Sequence, residues 1–253
     1  MKIVIIDIMC VVNSEGENCM RKKIIQKLYN SFLKWLLPIF HILVGKNRIR
    51  ARKSNSLSFT TANVYRSTFD LQKGSNNFIK IQENSDLHNS TILIKGNGNT
   101  ITIGKNSFIN GLTIIMEGNN NSITIGENAF ILDDVKIYTV DGSNFCMGKD
   151  CMLSDHIDIR TTDNHSILDK KTGRRVNYEE DITIHDNVWL GHGVILLKGV
   201  ELAEGCIVGA GSVVTRRHLI THSVVAGNPA KEVKENVAWT MERIKSKEYI
   251  AKI

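Results

Sequence analysis

The chain has 253 residues, enough for one main domain and an appendage, and is 42% apolar but only 6% aromatic. Its formal charge of +6 is concentrated: Arg21 to Lys53 holds ten Lys or Arg and no Asp or Glu, which excludes a nucleic-acid footprint spread over the fold. Five cysteines, an odd number without a C-x-x-C pair, exclude a disulfide framework and offer no zinc-site spacing, so no metal is expected.

Residues 1–56 read as a basic, apolar-rich extension. The opening MKIVIIDIMCVV resembles a strand or a weak signal segment, but Asp7 interrupts it and no small-residue cleavage site follows. Cysteine usage suits a reducing compartment, so a cytoplasmic location is expected. The longest apolar part, Leu28 to Val44, is seventeen residues long and contains Lys34, Pro38 and His41; a bilayer span needs about twenty. Two readings of residues 21–53 stand: a helix that caps the open end of a repeat domain, and a peripheral helix on the inner face of the inner membrane.

Residues 57–235 keep a beat of six. From Ile182 the chain runs ITIHDNVWLGHGVILLKGVELAEGCIVGAGSVVT, in which Ile184, Leu190, Leu196, Leu202, Val208 and Val214 are spaced by six, with Gly193, Gly199, Gly205 and Gly211 between them. Neither a helix nor a long strand has this period. Short strands separated by corners do, and three sides close a coil of eighteen residues with one apolar side chain per side pointing inward. Upstream, Phe59, Ile81, Ile103, Ile125 and Met147 are 22 apart. The expected inward partners are Tyr65 and Leu71, Leu87 and Leu93, Ile109 and Ile115, Ile131 and Ile137, Leu153 and Ile159. The four extra residues per coil fall in turn compositions, KGSN, KGNGN, EGNNN and DGSN.

After Ile159 the next inward residue is Ile184, nineteen residues late. The stretch 160–181, containing TTDNHSILDKKTGRR, is therefore a loop extruded from the same corner as the smaller bulges. Residues 236–253 read as a short terminal helix.

These residues resemble the hexapeptide-repeat acyltransferases, whose fold is all-β, a left-handed parallel β-helix. The likeness covers roughly residues 59–235 and is densest in VWLGHGVILLKGVELAEGCIVGAGSVVTRR and HSVVAGNPAKEVK. His165, 24 residues before Trp189 with GRRVN between them, is similar to the capsular and O-antigen polysaccharide O-acetyltransferases, those acting on polysialic acid included. The resemblance implies a homotrimer that transfers acetyl from acetyl-CoA to a sugar hydroxyl of a bacterial surface polysaccharide, its sites lying between subunits. Two alternatives remain: an N-acetyltransferase of a nucleotide-linked amino sugar, and a non-catalytic β-helix scaffold.

A sugar hydroxyl is a poor nucleophile until a base takes its proton, and imidazole, with an unperturbed pKa of about 6.5, suits that task. His165 is the expected base, with Asp163 either orienting it or serving as a turn carboxylate. The resemblance gives the oxyanion to a backbone N–H of Gly191 or His192 and places Trp189 at the acyl or acceptor site. For CoA it points to Ala210, Gly211, Thr215, Arg216, Lys231 and Lys234. Arg174 and Arg175 would meet an anionic acceptor. The side chains of His185, His192, His218 and His222 are expected to be surface or turn residues.

Overall fold

The computed structural model describes residues 46–59 and 61–245, so the expectations for residues 1–45 and 246–253 lie outside the described residues. Every regular element among the described residues is a β-strand. The strands form three sheets that are the faces of a triangular solenoid of about eight coils. Face A runs from Arg48–Ala51 to Val213–Val214, face B from Ser56–Phe59 to Glu201–Leu202, and face C from Asn63–Tyr65 to Ala230–Lys234. The chain visits A, B and C in turn, so each strand pairs in parallel with its equivalent one coil later. The last pair is the exception: Ala230–Lys234 lies antiparallel to Val224–Gly227.

The core is the stack of inward side chains. Leu190 stands between Leu153 and Val208 on face C, and all three are buried. Truncating such a residue to alanine costs about 2–5 kcal/mol. The register shows where the repeat count slips: Leu93 pairs with Asp70 and Ile115 with Leu93. Ile92, Ile94, Ile114 and Met116 are the buried residues of these face A strands, whereas Leu93 and Ile115 turn outward. In the first coil Val64, not Tyr65, is buried. A strand alternates sides at every residue, so a one-residue offset exchanges the inner and outer sets. Among the described residues the first parallel pairing, Arg48 opposite Thr68, precedes residue 57, so coiling begins inside the stretch expected to be extension. Residues 236–245 contain no helix.

The bulges all leave the A/B edge, and they carry a ladder of asparagines. Asn77 donates to Asn55 Oδ1 (3.0 Å), Asn99 to Asn77 (3.1 Å) and Asn121 to Asn99 (2.7 Å). Beside this ladder Gly96 has φ +153, and a Cβ there would lie 1.6 Å from the Gly118 carbonyl oxygen; only glycine fits. One coil above, Gly142 N–H donates to Asn121, and the column ends in the Ser143–Thr161 hydroxyl pair at 2.6 Å. Thr161 is the first residue of the long loop. The chain leaves face A after Arg160 and rejoins the solenoid at Ile182, while Ile159 pairs with Leu196 as if nothing intervened.

Candidate active site

Within the loop the chain doubles back as a narrow hairpin. Leu168 bridges Arg175, Val176 N–H donates to Ile167 O, and Asp169 accepts from the Lys171 and Thr172 N–H groups to close the turn. Buried Asn177 ties the hairpin base together: its Nδ2 donates to Asp163 Oδ2 and to His165 O, each at 2.8 Å, and its Oδ1 accepts from Ile167 N–H at 2.6 Å. Asp163 also pairs with Lys198 on the next coil. These two partners hold the Asp163 carboxyl below its ordinary value of 3.8. From below, the Tyr138 hydroxyl donates to Glu117 (2.8 Å) and lies 3.0 Å from Asn164 Oδ1. Burial and the Glu117 carboxylate push that hydroxyl up to about 12, so it remains a donor. His165 is thus flanked by two anchored residues, while its ring is exposed and makes no side-chain hydrogen bond among the described residues. Asp163, which could have oriented the ring, is engaged by Asn177 and Lys198 instead.

At the A/B edge above the loop, an open cavity of about 580 Å³ is lined by Asp163, Lys198, Gly199, Thr215, Arg216 and Arg217 among others. Thr215 and Arg216 therefore share an edge with the loop that carries His165. Arg216 lies 3.7 Å from Glu232. Arg175 is committed to Glu179 at 2.6 Å and stacks over the Tyr178 ring, whereas Arg174 is exposed and has no ion pair among the described residues.

The remaining candidates lie across face A, at the C/A edge. Trp189 begins a face C strand, half buried, with its indole N–H 3.3 Å from Ser154 Oγ. Gly191 is buried and its N–H donates to Val208 O at 2.8 Å. That bond removes Gly191 from the expected oxyanion donors, because its proton completes the sheet ladder. The neighbouring His192 N–H has no partner among the described residues. Directly above, a Cβ on Gly191 would come within 2.9 Å of Ala210 N, so the backbones of the two coils touch at a shelf where Ala210 and Gly211 are exposed. Lys231 and Lys234 lie nearby on the closing face C strand. One chain therefore splits the candidates between two edges, and it does not bring His165 to Trp189.

Of the histidines expected at the surface, His185, His192 and His222 are exposed, but His218 is fully buried. It takes an inward position of the last coil, bridging Leu202, with Nδ1 2.5 Å from Glu232 and Nε2 unpaired. Sequence reasoning also missed Asn177 and Lys198, which act through contacts within the loop and from the loop to the next coil, and leave no periodic signal. Trp239 was missed as well; its indole N–H donates to Asn187 O at 2.8 Å and its ring lies 6.1 Å from that of Trp189.

Residues 181–216 match the family described as bacterial transferase hexapeptide (six repeats). A provisionally named acetyltransferase of Schizosaccharomyces pombe is 38% identical over 71 residues, 28% of this chain and 34% of that one. Another from Staphylococcus aureus is 44% identical over 64 residues, 24% of this chain and 32% of its own length. The matched segment thus spans about a third of these curated relatives. Two crystal structures resemble the solenoid at TM-score 0.70. The polySia specific acetyltransferase NeuO is 27% identical, with 80% of this chain and 92% of that chain covered. The polysialic acid O-acetyltransferase OatWY is 29% identical, with 80% and 95% covered. The parallel solenoid matches the left-handed β-helix of acetyltransferases.

Proposed function

We propose that this chain is an acetyl-CoA-dependent O-acetyltransferase acting on a sugar hydroxyl of a bacterial surface polysaccharide, in the cytoplasm and as a homotrimer. The likeness to NeuO and OatWY over 80% of the chain carries this reading. In the reaction, His165 takes the proton of the sugar hydroxyl as its oxygen attacks the thioester carbon. The His192 N–H donates to the oxyanion, and losing such a donor typically costs about 3 kcal/mol. Acetyl-CoA is a substrate here: Ala210 and Gly211 offer an open backbone shelf to its pantetheine arm, Thr215 and Arg216 a cationic cavity rim to its phosphates, with Lys231 and Lys234 beside them. Arg174, exposed on the hairpin, is a cation for a carboxylated acceptor.

Three observations favour an assembly in which two chains complete each site. The candidates fall into half-sites on opposite edges of face A. Face C carries an outward apolar file in register, Phe108, Phe130, Met152, Trp189 and Ile207, whereas the equivalent file on face B is Thr102, Thr124, Cys146, Thr183 and Glu201. The hairpin exposes Ile167, Leu168, Val176 and Tyr178 by more than half, an apolar surface of the kind that marks contact sites. For the basic N-terminal segment, contact with the anionic inner face of the membrane remains part of this reading; among the described residues no helix is long and apolar enough to cross a bilayer.

The test is acetyl transfer from acetyl-CoA to polysialate, neutral capsule, lipopolysaccharide sugars and nucleotide-linked amino sugars. The expected product is an ester released by mild alkali, and His165→Ala lowers kcat by about 10²- to 10⁴-fold. An alkali-stable amide on an amino sugar overturns O-transfer, and absence of thiol release with every acceptor overturns the enzyme.

A further inference from the structure

We infer that His192, oriented by Asp155, is the acid that protonates the departing thiolate of acetyl-CoA, an inference that rests on the transferase reading and deepens it. At the C/A edge the turns of successive coils stack polar side chains in a row. His192 Nδ1 lies 3.1 Å from Asp155 Oδ1 on the coil below. The other oxygen of Asp155 is 3.8 Å from His156 Nε2, and His156 Nδ1 bonds Asp134 Oδ2 at 2.7 Å. Asp134 in turn pairs with Lys136 at 2.8 Å, and the two imidazole rings meet edge to face at 5.2 Å. On the coil above, Ala210 and Gly211 bring no charge to the ring. Asp155, Asp134, His156 and Lys136 are therefore the charged or titratable groups that face it among the described residues.

This arrangement fixes which nitrogen does chemistry. The Asp155 carboxyl is held below its ordinary value of 3.8, first by the His192 imidazole, so it is an anion at neutral pH and takes the Nδ1–H. The ring is thereby oriented with Nε2 on the side away from Asp155, in an exposed side chain. The same residue's backbone N–H is the open donor assigned to the oxyanion. A thioester whose oxygen binds that N–H has its sulfur within reach of a side chain from the same residue. His165 receives the proton of the attacking hydroxyl, and His192 supplies a second imidazole for the sulfur.

The step balances. As the tetrahedral intermediate collapses, the carbon–sulfur bond breaks and its electron pair leaves on sulfur. The Nε2 proton of the His192 imidazolium passes to that sulfur, giving free thiol and neutral imidazole. His165 returns its proton to water and His192 takes one from water, so no proton is gained or lost over the cycle.

The experiment compares two acetyl donors in the full-length protein: acetyl-CoA, and the S-acetyl thioester of 5-thio-2-nitrobenzoate, an acidic aryl thiol that departs as a stable thiolate. With acetyl-CoA, His192→Gln should lose about 10- to 100-fold in kcat, the scale of a modest acid–base contribution. With the aryl donor it should lie within about threefold of the wild type on that donor, since no proton is then needed at sulfur. Asp155→Asn should show the same donor dependence with a smaller loss; neither residue is buried, and unchanged thermal midpoints verify the fold. Equal losses with both donors overturn the assignment and leave the transferase reading standing. A wild-type protein that acetylates no acceptor from either donor overturns that reading as well.

Discussion

One amide side chain, Asn177, fixes the segment that carries His165. Its Nδ2 and Oδ1 together contact Asp163, His165 and Ile167, and an unsatisfied buried partner costs about 1–3 kcal/mol. Asn177→Ala should therefore free the hairpin while the solenoid stays folded: kcat drops at least about tenfold, as expected when a base loses its placement, with little change in thermal midpoint. Steady-state kinetics beside a melting curve check this. The Asp163 ion pair adds a pH dependence. Its folded carboxyl is held below 3.8, so the tie to Lys198 is complete above that value and is lost as pH falls through the lowered one. Limited proteolysis of the hairpin should accelerate below about pH 4 in the wild type, and Lys198→Ala should be more readily cut at pH 7. The sequence made His165 visible through its likeness to a known pattern. Nothing in it announced Asn177, whose importance comes from groups on both strands of a hairpin that has no periodicity. His218 was hidden for another reason: the beat from Leu202 points to Ile220, yet the last coil is two residues short and the histidine turns inward instead.

At the level of elements, the solenoid's faces and edges were legible because each inward position recurs at a fixed interval. What escaped was phase. Leu93 and Ile115 fit the 22-residue count, but their neighbours fill the core, since these longer strands have apolar residues on both sides. The asparagine ladder at the A/B edge was read only as turn composition. It is an internal column: Asn99 is fully buried, donates to Asn77 and Gly118, and accepts from Asn121. Asn99→Ala should reduce stability by about 1–3 kcal/mol, read as a lower urea midpoint. Coils contact only their neighbours, so acetyl transfer by the folded fraction should persist.

For the molecule as a whole, the separation of His165 from Trp189 within one chain gives the proposed shared site a direct test. Where a site needs His165 from one chain and Trp189 from the next, the inactive variants His165→Ala and Trp189→Ala should complement each other. Denaturing, mixing in equal amounts and refolding should restore about a quarter of wild-type turnover, the share of interfaces that pair two intact contributions in a closed ring. No recovery, with mixed oligomers demonstrated, would place the whole reaction within one chain. The sequence alone left this open, because spacing along the chain does not say which edge a residue faces.

A stack of identical rungs has no inherent last member. Its final parallel strand offers bare amides and carbonyls to any rung that arrives, another molecule's included. Here the chain turns at Gly227 and lays Ala230–Lys234 in the opposite sense along that exposed border, with a register shift and two lysines pointing out. A reversed, irregular, positively charged strip cannot template a further parallel rung. Face C thus carries its own terminator, and that border is closed to a further rung.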